Sequence, residues 1–323
     1  MENKNLLNAI KCAVVHKKVG SYVRENIKIN MTLKEIAILI ENKIKDEIEF
    51  DINNPVSSGI AFPVGLSLNN CAAHYTPNYN EENILLKEDD IIKIDYGIHK
   101  NGIIIDSAFT LSFNSKYDDF INISKNLTKY AVSLCGVDVI LGDIGKDIEE
   151  YVKSKEITID NKTYQLKTMS DLSGHLIAPY EIHAGKAVPN ISIFYPMRMK
   201  EYEYYAIEPF LTTGDGYSIL KTPNSHYMLS NNHHIINNLN QNECKVYDMI
   251  KKNYHTLPFC QRWLYELEKS LNYDNILEKL EKKNLVNVYP PIYDIKDSII
   301  SQFEHTIFIK EKGIINLTKN EYY

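Results

Sequence analysis

Two aspartates set inside two adjoining apolar runs constrain this chain more than any other feature. From Ile91 to Phe113 the sequence reads IIKIDYGIHKNGIIIDSAFTLSF. The runs meet at Lys100-Asn101-Gly102, and Asn-Gly between apolar segments signals a tight hairpin. One strand carries Asp95 and the other Asp106. Aspartate is a poor strand former, and Asp106 shares its face with Ile104 and Ala108. A carboxylate on such a face must be paired or hold a cation, because burying it bare is costly. With Lys100-Asn101 as the loop, Asp95 lies directly opposite Asp106; with Asn101-Gly102 the two are diagonal neighbours on one face. Only an odd-residue bulge would send them to opposite faces. Same-face carboxylates raise each other's proton affinity unless a cation lies between them. The spacing points to a divalent cation site, weighed against a solvated hairpin with two unrelated aspartates.

The rest of the chain can supply a large core. It has 323 residues, 44% of them apolar, enough for one big domain or two ordinary ones. A net charge of -6 with both signs mixed argues against nucleic acid as a partner. Cys12, Cys71, Cys135, Cys244 and Cys260 are scattered and odd in number, which fits free thiols in a reducing compartment, the cytoplasm. No membrane span or secretory leader is expected.

Leu7, Ile10, Val14, Val19, Val23 and Ile27 recur at near-helical spacing, predicting a helix over residues 4–28. Thr32 with Glu35 forms a capping box for a second helix through Ile36, Ile40 and Ile44. Both read as cover for a sheet. Phe120 to Leu134 predicts another helix stopped by Gly136, a short one follows around Ile144 to Val152, and Ile157 to Met169 reads as a hairpin turning at Asp160-Asn161. Residues 242–283 carry three helical patterns, with basic residues balanced by acids, and read as a solvated helical surface.

Three further segments place polar groups where apolar ones belong. In DLSGHLIAPYEIHAGKAVP, His175 and His183 lie between chain breakers and can converge from neighbouring strands, or be two ordinary loop histidines. Glu208 follows the apolar run YYAI, and Glu304 sits inside SQFEHTIFIK, read as one alternating strand with Phe303, His305, Ile307 and Ile309 on one face. His74, before Tyr75-Thr76-Pro77, reads alone as a structural loop histidine. One misplaced acid is noise; Asp95, Asp106, Glu208 and Glu304 with a Gly-flanked histidine form a pattern. Hard oxygen ligands with one or two imidazoles suit Mn, Co, Fe or Zn, and four carboxylate charges fit two ions better than one.

The order Asp95, Asp106, His175, Glu208, Glu304 resembles that of the methionine aminopeptidases, specifically the type 2 class. The matching stretches are GIAFPVGLSLNNCAAHYTPN, KIDYGIHKNGIIIDSAFT, SGHLIAPYEIHAGKAVP, YAIEPF, SHYM, YPPIYDIK and SQFEHTI. They run from about residue 57 to the C-terminus. The resemblance implies an α+β pita-bread fold with two α/β halves related by a pseudo-twofold. The catalytic domain would take residues 1–225 and 289–323, and residues 226–288 would be a helical insertion. It implies two divalent ions, with Asp95 on one, Asp106 and Glu304 bridging both, and His175 and Glu208 completing the second. A bridging water would be the nucleophile, with Glu208 as proton shuttle. His183 would contact the scissile carbonyl or its oxyanion, and His74 would lie near the substrate amine and the following peptide. Phe62, Ile182, His226 and Tyr289 would line the methionine pocket. The implied substrates are N-terminal Met peptides of nascent chains with a small second residue. Fumagillin-type inhibitors would alkylate His74, and the protein would be a monomer.

There are departures. The family's GHSIG is here Gly174-His175-Leu176-Ile177-Ala178, followed by Pro179. Tyr202 replaces a common glycine, and Pro209 replaces the usual threonine after the glutamate. The polybasic extension of animal and yeast type 2 enzymes is not expected, nor is ribosome association through it. Two other readings compete. An X-Pro peptidase of the same fold generally carries an extra N-terminal domain, for which the residues ahead of Asp95 leave little room. A non-catalytic relative that binds RNA or protein should lack metal-binding acids, and this chain keeps all five ligand positions.

Overall fold

The computed structural model describes residues 2–230 and 239–320. Two helices and a sheet make each of two halves. In the first, α1 (Glu2–Asn26) and α2 (Leu33–Ile48) cover an antiparallel sheet of strands Ser58–Leu68, Ile91–Lys100 and Ile103–Ser112. In the second, α3 (Asp118–Ser133) and α4 (Leu141–Lys153) cover five antiparallel strands, in the order Ile314–Asn316, His305–Ile309, Tyr204–Ile207, Ser173–Ile177 and Ala187–Pro189. Each half buries its own apolar core between helices and sheet. The sheets meet where Thr306 Oγ1 takes the Asp106 N–H at 2.9 Å and donates to the Asp106 carbonyl at 2.6 Å. This is the pita-bread arrangement, and the meeting line of its halves carries the site.

Local chemistry accounts for many boundaries. The capping box at the start of α2 is complete: the Thr32 side chain accepts from Glu35 N–H, and the Glu35 carboxylate from Thr32 N–H. The hairpin pairs Lys100 with Ile103, so Asn101-Gly102 is the loop. Asn101 (φ 51°) and Gly102 (φ 77°) are both left-handed, as a two-residue hairpin turn requires. Asp160 and Asn161, also at positive φ, turn the hairpin of Glu156–Ile159 and Lys162–Gln165.

Three expectations need correction. Helix α1 forms, but Leu7, Ile10 and Val14 are exposed. Ala9, Cys12, Ala13 and His16 join Val19, Val23 and Ile27 in the buried face. Small side chains let the helix approach the sheet, and His16 stacks on Tyr96 with ring centroids 4.1 Å apart. SQFEHTIFIK is not one strand: it breaks at Phe303-Glu304, between strands Ile300–Gln302 and His305–Ile309. It is buried on both sides, with Phe303 and Phe308 in the first core and Ile307 and Ile309 in the second.

The third correction concerns α5 (Gln241–Asn253), α6 (Gln261–Leu267) and α7 (Tyr273–Lys282), which pack with strands His226–Leu229 and Val286–Tyr289 around a separate core. Their surface is not uniformly solvated. Arg262, 2% exposed, is fully engaged with Glu41 of α2. Its Nη1 and Nη2 each lie 2.7 Å from a Glu41 oxygen, and Trp263 Nε1 donates to the same carboxylate at 2.9 Å.

Candidate metal centre and substrate cavity

Hairpin register brings the two aspartates together. Asp95 pairs with Ala108 and Asp106 with Gly97, so the carboxylates are diagonal neighbours on one face. His175 arrives on the strand Ser173–Ile177, and Glu208 just after Tyr204–Ile207. Glu304 sits at the strand break, its N–H held by the Ala108 carbonyl at 2.9 Å and its carbonyl accepting from Ser107 Oγ. His175 Nε2 lies 3.3 Å from Glu208 Oε1 and 3.6 Å from Asp106 Oδ2. Asp106, His175 and Glu304 each offer a ligand atom within 4.8 Å of the others.

The electrostatics are those of a site built for cations. Burial pushes the Asp95 carboxyl up to about 7, against a lowering hydrogen bond from Gln302. Burial and then the Asp95 charge hold Asp106 well above the ordinary range. Burial, then Asp106, does the same for Glu208 and Glu304. Burial keeps His175 neutral, so its ring retains a lone pair for a metal. Asp95 Oδ1, Asp106 Oδ1 and Glu304 Oε1 are buried without a hydrogen-bond partner.

Asp294 shows the contrast within the same fold. It is 1% exposed, yet it accepts from Thr212 Oγ1 at 2.7 Å and from the N–H groups of Asp215, Gly216 and Ile295 at 2.7–3.1 Å. The fold supplies donors to a structural carboxylate. At the hairpin it leaves carboxylates facing one another, so the donor set fits divalent metal ions.

Four of the site residues, but not Glu304, border a cavity of about 520 Å³. Its lining includes Asp95, Asp106, His175 and Glu208, together with Phe62, His74, Ile182, His183, His226 and Tyr289. His183 stands edge-on to His175 with centroids 4.5 Å apart. His74 lies 5.8 Å from the His226 ring and 5.9 Å from Tyr289. His226 is fixed by Ser225 Oγ at 3.0 Å and the Pro63 carbonyl at 3.1 Å. Desolvation holds His74 down to about 3 and His226 to about 4, so both are neutral at physiological pH.

Sequence reasoning missed Gln302, whose Nε2 lies 3.0 Å from Glu208 Oε2 and 3.5 Å from oxygens of Asp95 and Glu304. It stands two residues before Glu304, and an amide beside a misplaced acid was the available signal. Leu172, Tyr195, Phe210 and Pro258 also line the cavity. Nothing in the local pattern marks them, since apolar residues near turns are common.

Acids drawn from distant segments around one imidazole, at the edge of a mostly apolar cavity, define a metallohydrolase. The chain belongs to metallopeptidase family M24, whose pattern matches residues 8–233, and within it to the methionine aminopeptidase 2 group. It is 42% identical over 306 residues to methionine aminopeptidase 2 of Kluyveromyces lactis, covering 93% of this chain and 72% of that protein. It spans between 63% and 72% of the length of the yeast relatives it matches. Solved structures share the fold, among them these two. A methionine aminopeptidase from Thermotoga maritima superposes with a TM-score of 0.65 at 18% identity, covering 98% of this chain and 97% of that one. A thermophilic Arx1 superposes at 0.78 with 15% identity, covering 99% and 92%.

Proposed function

We propose that this chain is a metal-dependent methionyl aminopeptidase, removing the initiator methionine from nascent proteins and peptides whose second residue is small. The observation that carries this is the set of buried Asp106, Glu208 and Glu304 with half-buried Asp95 around His175, beside a cavity walled by Phe62, Ile182 and Tyr289. Those five residues are the ones that would hold two divalent ions. Bound there, the ions would supply Lewis-acid polarisation of the scissile carbonyl and a water made nucleophilic near neutral pH.

The chain's own groups do the rest. Glu208 would take the proton of the attacking water and return it to the departing amine, with Gln302 fixing its second oxygen. His183 would donate to the carbonyl oxygen as negative charge develops there. His74, neutral, would hydrogen-bond to the substrate without repelling its cationic N-terminus, while His226 has both ring nitrogens taken by Ser225 and Pro63. Phe62, Ile182, His226 and Tyr289, all in the cavity lining, would enclose the thioether side chain. A neutral His74 ring is also a competent nucleophile toward an epoxide, which supports alkylation by fumagillin-type inhibitors. We also read residues 226–288, of which 231–238 lie outside the described residues, as an insertion on a catalytic domain, and the protein as a cytoplasmic monomer. Among the described residues no helix is long and apolar enough to cross a membrane.

The test is a paired assay. After chelation and reloading with Mn or Co, the protein should release Met from Met-Ala and Met-Gly peptides and leave X-Pro substrates intact. Metal binding without turnover under Mn, Co, Fe and Zn would sink the proposal in favour of a binding role. His183→Ala should lower kcat/KM by about 10²–10³-fold, the usual loss for one oxyanion donor.

Metal removal should expose the carboxylate repulsion. Asp95, raised to about 7 when folded, titrates near 4 when unfolded. Its contribution to metal-free stability is therefore present below pH 4 and lost as pH rises through 7. His74 and His226 oppose this trend, but they do so in both forms. The Tm gap between metal-loaded and metal-free protein is expected to widen from pH 5.5 to 7.5. A constant gap would contradict the assignment of these carboxylates as ligands.

A further inference from the structure

We propose that Tyr180 is a positioning residue for the cavity-lining segment Ile182-His183, a clasp through which the hairpin turn at Gly102 and the loop before α6 hold His183 in place. The inference rests on the role proposed above for His183.

Tyr180 sits in a tight turn closed by Ala178 N–H to Glu181 O at 2.9 Å and Glu181 N–H to Ala178 O at 3.0 Å. Pro179 leads the turn and Tyr180 follows at φ 61°, a left-handed position that glycine or asparagine normally takes. A bulky side chain persists there only when its surroundings over-determine it. Three separate segments do so. Tyr180 N–H donates to the Gly102 carbonyl at 2.8 Å. The Tyr180 hydroxyl donates to the Val56 carbonyl at 3.0 Å. The Tyr180 carbonyl accepts from Thr256 Oγ1 at 2.6 Å. The ring lies against the backbone of Gly102, where an added Cβ would come within 2.2 Å of it.

What this anchoring serves is visible in the next residues. Ile182 and His183 line the cavity, and Ile182 is buried in a small apolar cluster that also includes Leu257. The segment carrying Thr256 and Leu257 supplies Pro258 to the cavity wall, and Phe259 pairs with Tyr227 through two backbone hydrogen bonds. The loop before α6 thus builds one wall and, through Thr256, fixes the turn that aims His183. The hydrogen bonds of Tyr180 end on Gly102, Val56 and Thr256 and on no metal-site carboxylate, so the clasp acts on the turn that carries the histidine.

Thr256→Val, Thr256→Ser and Tyr180→Phe in the metal-loaded full chain separate these roles. Thr256→Val and Tyr180→Phe should each lower kcat on Met-Ala by about tenfold or more, with metal stoichiometry unchanged, and Thr256→Ser should restore most of it. In a His183→Ala background Thr256→Val should add no further loss, because the two act as one unit. A second readout is independent of turnover. In histidine-labelled protein the His183 ring resonance, identified by its disappearance in His183→Ala, should shift in Thr256→Val and Tyr180→Phe. It should stay put in Thr256→Ser. An unmoved His183 resonance, or an equal kcat loss with and without His183, overturns the clasp. Absence of Met-Ala turnover in the unaltered protein overturns the peptidase reading instead, and the resonance then decides the clasp by itself.

Discussion

Replacing Asp106 by asparagine is expected to abolish methionine release, lowering kcat/KM by more than about a thousandfold. Loss of an outer partner of a metal ligand already costs about 10–100-fold, and Asp106 lies at the centre of the set. Its carboxylate is 3.6 Å from His175 Nε2, its charge raises both Glu208 and Glu304, and its Oδ1 has no protein donor. The same change should stabilise the metal-free protein at pH 7.5. It removes one of the buried carboxylates that repel one another there, and the backbone of residue 106 stays held by Thr306. Activity and metal-free Tm should therefore move in opposite directions. If Asp106→Asn retained turnover, or lowered metal-free Tm, the site would not be a cluster that cations neutralise.

The second large effect is on stability. Glu41→Ala should destabilise the fold by about 3–5 kcal/mol, the usual result of stranding one partner of a buried ion pair. Arg262 and Glu41 have side chains only 2% and 3% exposed. Without Glu41, the Arg262 fork loses both of its 2.7 Å contacts, and Trp263 Nε1 loses its acceptor. The double replacement Glu41→Met with Arg262→Met should recover most of the loss, because it removes both charges together. Urea unfolding of the two variants beside the unaltered protein checks this, and a loss under about 1 kcal/mol for Glu41→Ala would mean that water reaches the pair. The pair ties α6 to α2, so the single variant should also loosen the loop that carries Thr256 and Pro258.

How far the site could be read from residues alone depended on the range of the interaction. The Asn101-Gly102 signal offered three registers for Asp95 and Asp106, and backbone pairing selected the diagonal one. His74 read alone as structural, and His175 with His183 read as well as loop residues as ligands. Only the resemblance to a known family singled them out, because nothing within a few residues of any of them says what it will face. Glu304 was singled out by its apolar neighbours, but the strand break that aims it into the site was not. Arg262 falls in the stretch 242–283 that reads as a solvated helical surface, since a charge on an amphipathic helix ordinarily points outward. Its partner lies 221 residues away, beyond any periodicity.

By itself the sequence determined the features whose energetics are local. These are the Thr32–Glu35 capping box, the left-handed turns at Asn101-Gly102 and Asp160-Asn161, the helical runs, and the presence of acids where apolar side chains belong. Tertiary structure alone decided which of those acids meet, which histidines face them, how Gln302 sits among them, and which face of α1 is buried. The physical reason is that capping and turn chemistry act through neighbouring backbone groups. A carboxylate's burial, partners and proton affinity are set by chain segments that only folding brings within a few ångströms.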